Sequence, residues 1–233
     1  MGNFFFLILI QPILNLLVLM YRYIPDIGVV IILLTIVIRL LLMPSFHKSL
    51  KAQKKMTALQ PLLNEVREKH KNDKEKQAKA IMDLYKEQKV SPFGSLLPLL
   101  IQLPLLIALY KVFILGLGGK DLQQYLYPFV HNPGTLNPYF LHFLNLAKPN
   151  IFMGIIAGAA QFIQSKMMIP PPSKSNDATA NALAVQTVYI LPLLTVFISL
   201  RLPAGLPLYW LVTTLFAVGQ QYYIIKTNKV VTQ

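Results

Sequence analysis

IGVVIILLTIVIRLLLMPSF, residues 27–46, is long and apolar enough to cross a bilayer, yet it carries one ionised side chain, Arg39. A guanidinium does not shed its charge near neutral pH. Holding it at mid-span costs about 2.5–3.5 kcal/mol on insertion scales. A chain that keeps such a residue places water or an anionic partner beside it, or lets the side chain snorkel to the headgroups. Arg39 precedes Lys48 by nine residues, about 13 Å along a helix, which is a long reach for one side chain. The run therefore reads as a transmembrane helix that borders a polar cavity.

The remainder of the chain is built from similar runs. Of its 233 residues 55% are apolar and 13% charged, and the mean hydropathy is +0.52. A soluble domain of this size has no core deep enough to hide several such stretches. With no cysteine there is no disulfide, thiolate metal site or lipid-modified N-terminal cysteine. The formal charge of +13 would suit a nucleic-acid partner only if it formed a reading surface. Instead it is concentrated: residues 48–89 hold twelve Lys/Arg and six Asp/Glu, a net of 12 − 6 = +6, whereas 116–150 hold only Lys120, Asp121 and Lys148. Short basic loops stay in the cytoplasm. Residues 48–90 are thus expected inside and 116–150 outside.

That asymmetry threads five spans. Residues 27–50 contain the first, running inward from Ile27 to about Phe46, and 93–118 the second, returning outward with Pro98 and Pro104 expected to kink it. An extracytoplasmic loop occupies 119–149. The third span, in 150–169, is rich in small residues that let helices approach closely in lipid. A cytosolic loop, 170–182, holds PPPSKSND, and 183–225 carry the fourth and fifth spans around a tight outer turn at Arg201–Gly205. Residues 226–233 form a short cytosolic tail. Residues 1–26 are ambiguous: FFFLILIQPILNLLVLM (4–20) suits a sixth span or an interfacial helix, and lacks the basic start and small-residue cleavage site of a signal peptide. Gln11, Pro12 and Asn15 interrupt it, which favours a helix on the outer surface.

The basic insert, 51–92, reads as a helical hairpin. Met56, Leu59, Leu63, Val66 and His70 form a 3-4-3-4 seam, with Ala78, Ile81, Met82 and Tyr85 facing it across a turn at Asn72-Asp73. Pro61 starts or bends the first arm. The bland reading of its lysines is a solvated face; anionic lipid or ribosomal RNA would also suit them, but no motif or aromatic platform for specific nucleic-acid recognition accompanies them.

Catalytic and metal-binding motifs are missing. The chain has no G-x-S-x-G, H-E-x-x-H or G-K-[ST] signature, its histidines stand apart from carboxylates at ligand spacing, and no acidic residue falls in the five spans. It reads as a non-enzyme without cofactor or metal, and the lack of membrane carboxylates argues against a proton relay or sodium-coupled carrier. The spans do hold amides and hydroxyls. Thr35 precedes Arg39 by one turn, Gln102 sits in the second span, Gln161 and Gln164 make a stripe in the third, and Gln186 lies near the inner end of the fourth. An interhelical hydrogen bond is the bland role for each, about 0.6 kcal/mol on average. Taken together, an arginine among amides with no carboxylate leaves positive charge to attract acidic or polar peptide.

The stretch MTALQPLLNEVREKHKNDKEKQAKAIMDLYKEQKVSPFGSLLPLLIQLPLLIALY (56–110) resembles the YidC/Oxa/Alb family of membrane protein insertases. Supporting it are Thr35 and Arg39 before Pro44, QFIQSKM (161–167), and LPAGLPLYW followed by VGQQYY (202–223), in the family's order. The resemblance implies an all-α polytopic fold with five core helices around a hydrophilic groove open to cytosol and lipid, a mobile cytosolic hairpin, and an outer interfacial helix over residues 3–20. Arg39 matches the groove arginine, and Thr35, Gln102, Gln161, Gln164 and Trp210 match positions lining or supporting the groove. It further implies a bacterial plasma membrane protein that, as a monomer, receives nascent membrane proteins and releases them into the lipid bilayer. The Sec translocon, the ribosome and the signal-recognition machinery are the further partners it suggests. The chain departs from the pattern at Ser91 and Ser95, where Asn and Gly are common, and at Thr214, where Asn is frequent. Neither the large extracytoplasmic domain nor the long basic tail of some members is expected from this sequence. Rival readings from the residues are a small channel or carrier, and an assembly chaperone that inserts nothing.

Overall fold

Asp26 begins the central helix by accepting hydrogen bonds from the Gly28 and Val29 amides, the usual service of an N-cap carboxylate. The helix that follows, α3, carries Arg39 in its last turn. The computed structural model describes residues 2–91, 97–118, 121–168 and 186–230. Ahead of α3 lie a short α1 (Gly2–Phe5), a π-helical turn (Phe6–Ile10) and α2 (Gln11–Tyr23). After α3 (Ile27–Leu41) come α4 (Met43–Ala58), α5 (Gln60–Lys69), α6 (Lys74–Glu87) and α7 (Leu97–Leu117). A small β-hairpin, β1 (Tyr139–Phe140) and β2 (Leu144–Asn145), precedes α8 (Ile151–Met168). A π-helical turn (Gln186–Ile190) leads into α9 (Leu191–Ser199), and α10 (Gly205–Val230) ends the described chain.

The protein is mostly helical, and among the described residues three segments suit a membrane crossing by length and composition. They are Phe6–Tyr23, Leu100–Leu117, and the pair Ile27–Leu41 and Met43–Ala52 if that bent pair is one span. The sequence predicts a continuous span to Phe46, but the helix breaks after Leu41 and turns by 65°. Pro44 explains the turn: it has no N–H for the Leu40 carbonyl, and its ring would collide with that carbonyl in a straight helix. The expected division between span and hairpin therefore falls inside α4. Pro104, by contrast, sits within the unbroken α7.

In the α5–α6 hairpin the expected seam turns inward on the first arm, where Leu59 and Leu63 are buried and Met56, Val66 and His70 half-buried. On the second arm the stripe is rotated: Ala78 and Met82 are exposed, whereas Gln77, Ile81, Leu84 and Tyr85 turn inward, and Gln77 Nε2 donates to the Arg67 carbonyl at 2.8 Å. Pro61 opens α5 and Asp73 caps α6. The 93–96 start of the expected second span, the 170–182 loop, and the 183–185 start of the expected fourth span lie outside the described residues, as does the side chain of Gln186.

Residues at three- and four-residue spacing (Ile10, Ile13, Leu14, Leu17 and Val18) bury one face of the N-terminal segment. That segment packs against α7 and α3. Its polar side chains reach the loop between α7 and β1 from Gln11 to Tyr21. Gln11 and Asn15 donate to the Tyr125 carbonyl, Asn15 Oδ1 accepts from Tyr127 N at 2.7 Å, and the Tyr21 hydroxyl accepts from Asn137 N. In the bundle proper, α10 packs on α3 and α8, and α8 on α9. Gly154 and Gly158, spaced i and i+4, let α9 approach closely at Ser199, Val196 and Pro192.

Candidate functional site

Arg39 is only 5% exposed. Its Nη2 donates to Gln102 Oε1 on α7 at 3.3 Å, and Gln102 Nε2 donates to the Tyr209 hydroxyl on α10 at 2.7 Å. The bend after Leu41 carries Phe46 back over the guanidinium, whose Cζ lies 4.3 Å from the ring centroid. Seven residues rise about 10 Å along a straight helix, so the broken helix favours this approach. Three helices and one helix bend thus converge on a single cation.

The partners are an amide, a phenol and a ring face; none carries a negative charge. Ion pairs among the described residues join Lys71 to Glu68, Lys76 to Asp73 and Lys86 to Asp83, within the α5–α6 hairpin and distant in sequence from Arg39. The Arg39 Nε is buried without a hydrogen-bond partner among the described residues. A cation–π contact contributes about 0.5–2 kcal/mol, and a hydrogen bond to a charged group about 1.5–3 kcal/mol. Those terms hold the side chain in place while its charge stays uncompensated. Its charge is complementary to an anionic or strongly polar group.

The sequence-predicted residues divide among distinct environments. Arg39 and Gln102 meet directly. Thr35 is buried, but its hydroxyl donates back to the Ile31 carbonyl at 2.6 Å. Gln161 belongs to a second polar group between α8 and α9, where its Oε1 accepts from Thr195 at 3.3 Å, and Thr195 also donates to the Leu191 carbonyl. Gln164 is half-buried one turn further along α8, and Trp210 is half-buried on α10.

Four contributors were not singled out from sequence. Tyr209, not Trp210, carries the hydrogen bond to Gln102; neighbouring residues on a helix point about 100° apart, and LPLYW alone does not say which faces inward. Phe46 needs the bend to matter. Gln220 and Gln221 are the others: Gln220 Nε2 and Gln221 Oε1 are buried without partners among the described residues, while Gln221 Nε2 donates to the Met167 carbonyl at 2.9 Å. A signal existed for Gln220, because Tyr209, Thr213 and Gln220 recur at i, i+4 and i+11 on one face of α10.

A carboxylate-free arginine buried among apolar helices, bonded to polar groups from neighbouring helices, defines a polytopic helical membrane protein with a cationic polar site in its interior. The chain belongs to the family described as 60Kd inner membrane protein, whose model matches residues 19–231. It is 34% identical to "Membrane protein insertase YidC" of Pelobacter propionicus, over 95% of this chain and 39% of the relative. It is 35% identical to the protein of the same name from Fusobacterium nucleatum, over 88% of this chain and 89% of that one. The fold matches a solved structure, "Active YidC insertase crystal structure with the first transmembrane domain resolved", with a TM-score of 0.61 and 26% identity, covering 87% of this chain and 43% of that one. This chain spans about two-fifths of the length of several of these curated relatives. Membership of this family places the chain in the bacterial inner, or plasma, membrane.

Proposed function

We propose that this chain is a membrane protein insertase core, taking nascent membrane proteins from the cytosol and releasing their transmembrane segments into the bilayer. The observation that carries the reading is Arg39: buried, immobilised by Gln102 and Phe46, and without a carboxylate among the described residues. A polar or acidic tail of the substrate exchanges part of its lost hydration for this charge. Its apolar segment slides along the lipid-facing side of α7 and α9, and burial in hydrocarbon at roughly 25 cal/mol per Å² drives release. For an acidic tail the membrane potential adds about 2.3 kcal/mol per charge per 100 mV. No nucleotide, metal or covalent step enters.

In this reading five spans surround a groove open to the cytosol and to lipid, lined by Arg39, Gln102, Gln161, Gln164 and Trp210, with Thr35 supporting its wall. The N-terminal segment lies at the outer interface. Its supports are the loop contacts from Gln11 to Tyr21, about 15 Å of helix; a crossing helix meets an extracytoplasmic loop only at one end. The α5–α6 hairpin projects into the cytosol to receive substrate, where the ribosome, the signal-recognition machinery and the Sec translocon are its partners, and one chain suffices for the groove.

The test is insertion of a small single-spanning protein with an acidic N-terminal tail into proteoliposomes that hold this chain. Protease-protected substrate with wild type and Arg39→Lys, reduced at least tenfold with Arg39→Ala, is the expected result. No protection above empty liposomes overturns the reading.

A further inference from the structure

The outer hairpin is clasped to two helices at once. Asp26 Oδ1 is occupied by the amides of Gly28 and Val29, and its second oxygen, Oδ2, accepts from the Leu141 amide at 2.7 Å, across 115 residues. Leu141 and His142 form the hairpin tip with φ of 49° and 68°, a left-handed conformation that side chains other than glycine adopt at a cost. The Asp26 carboxylate holds that tip. One residue earlier, the Phe140 ring lies so close over Gly28 that any Cβ there would collide with it. Beyond β2 the same strand continues to the other helix: Gly205 N donates to the Leu146 carbonyl at 3.1 Å and Ala204 N to the Lys148 carbonyl at 2.9 Å. Gly205 opens α10, and a Cβ on it would touch Ile31 of α3 at 3.4 Å.

The helices joined in this way are those that carry the polar site, Arg39 on α3 and Tyr209 on α10. Arg39 lies twelve residues inward from the clasped end of α3, about 18 Å along the helix. A pin at one end leaves two helices free to part only at the other. We propose that Asp26 is a positioning residue, the outer latch that holds α3 and α10 together through the Pro138–Lys148 hairpin, so that the polar site opens toward the cytosol and stays sealed outside. The inference rests on the insertase reading for its purpose, but the seal has its own readout.

Asparagine at position 26 keeps one oxygen to cap α3, at which Asn and Asp are near-equivalent, but presents an NH₂ to the Leu141 amide. Asp26→Asn therefore removes the latch and spares the cap. The chain has no cysteine, so a single thiol placed by Ile31→Cys, at the buried outer contact of α3 with α10, reports separation there. In proteoliposomes, a membrane-impermeant maleimide added to the outer face should label this thiol slowly in the otherwise native chain and at least tenfold faster with Asp26→Asn. Gly28→Ala, which displaces Phe140 while leaving Asp26 in place, should do the same. Asp121→Asn, in the outer loop but away from the latch, should not. Labelling at the native rate in both Asp26→Asn and Gly28→Ala overturns the latch, whatever the insertion assay gives. Faster labelling in both supports it even where the native chain inserts nothing, an outcome that would sink only the insertase reading. If Asp26→Asn fails to fold, Gly28→Ala decides the matter alone.

Discussion

Phe46 lies face-on to the guanidinium of Arg39, 4.3 Å from Cζ to ring centroid, although a helix break separates the two residues. The contact ties the bend to the charge. Phe46→Leu, which retains apolar bulk but removes the cation–π contact, should lower stability by about 1 kcal/mol. The cost should vanish when Arg39→Met is already present. Thermal unfolding of the four proteins in detergent measures this as a double-mutant cycle; equal costs in both backgrounds would show that Phe46 acts through packing alone.

Gln102 holds Arg39 without neutralising it. A carboxylate at the same position, Gln102→Glu, would stand where Oε1 now accepts from Nη2 at 3.3 Å and quench the charge. The folded protein should be at least as stable, yet insertion of an acidic-tailed substrate should fall tenfold or more. Gln102→Leu has the opposite profile. It strands Nη2 and the Tyr209 hydroxyl, costs about 1–3 kcal/mol of stability, and leaves the charge available. Wild-type insertion by Gln102→Glu would show that substrate does not use this charge.

Much of this arrangement was legible in the sequence, for identifiable reasons. Arg39 stands out because nothing else in its run is ionised, and Gln102 because amides are scarce in α7. Charge asymmetry located the hairpin, and Asn72-Asp73 its turn. What stayed hidden depends on three-dimensional angles. The Pro44 bend was readable as a proline but not as a 65° turn, so Phe46 remained one more apolar residue. The choice between Tyr209 and Trp210 is a helix rotation of about 100°, which periodicity does not fix in a helix apolar on most sides. The Asp26–Leu141 link joins residues 115 apart through a backbone amide, and no side-chain pattern marks it.

In the α5–α6 hairpin, Asp73 caps α6, accepting from Lys76 N at 3.0 Å and pairing with the Lys76 ammonium. The Lys76 amide first, then its side chain, hold the Asp73 carboxyl below its ordinary pKa. A depressed folded pKa contributes stability that is present above the unfolded value, near 3.9, and lost as pH falls through the folded one. Hydrogen exchange of the Lys76 and Gln77 amides should therefore speed up relative to the rest of α6 as pH drops below about 4. Asp73→Asn, which caps without titrating, should abolish that dependence. An unchanged pH profile in Asp73→Asn would assign the effect to another group.

The last prediction concerns how α8 and α9 meet, because lipid supplies little hydrophobic force to hold two helices together and close backbone approach must serve instead. A Cβ on Gly158 would lie 2.6 Å from Val196 Cγ2 and 3.1 Å from the Pro192 carbonyl oxygen, and one on Gly154 2.8 Å from Ser199 Cβ. The proline carbonyl is backbone and has little freedom to move aside. Gly158→Leu should therefore push the helices apart, costing about 1–3 kcal/mol from overpacking, and should also lengthen the Gln161–Thr195 contact one turn away. Gly219 provides the control, since it is exposed on α10 with nothing within 4 Å of its would-be Cβ. Gly219→Ala should be neutral or stabilising by about 0.5–1 kcal/mol, the ordinary gain from removing a helical glycine. Thermal melts in one detergent compare the two directly. No loss of stability in Gly158→Leu relative to Gly219→Ala would show that the α8–α9 approach does not depend on this glycine.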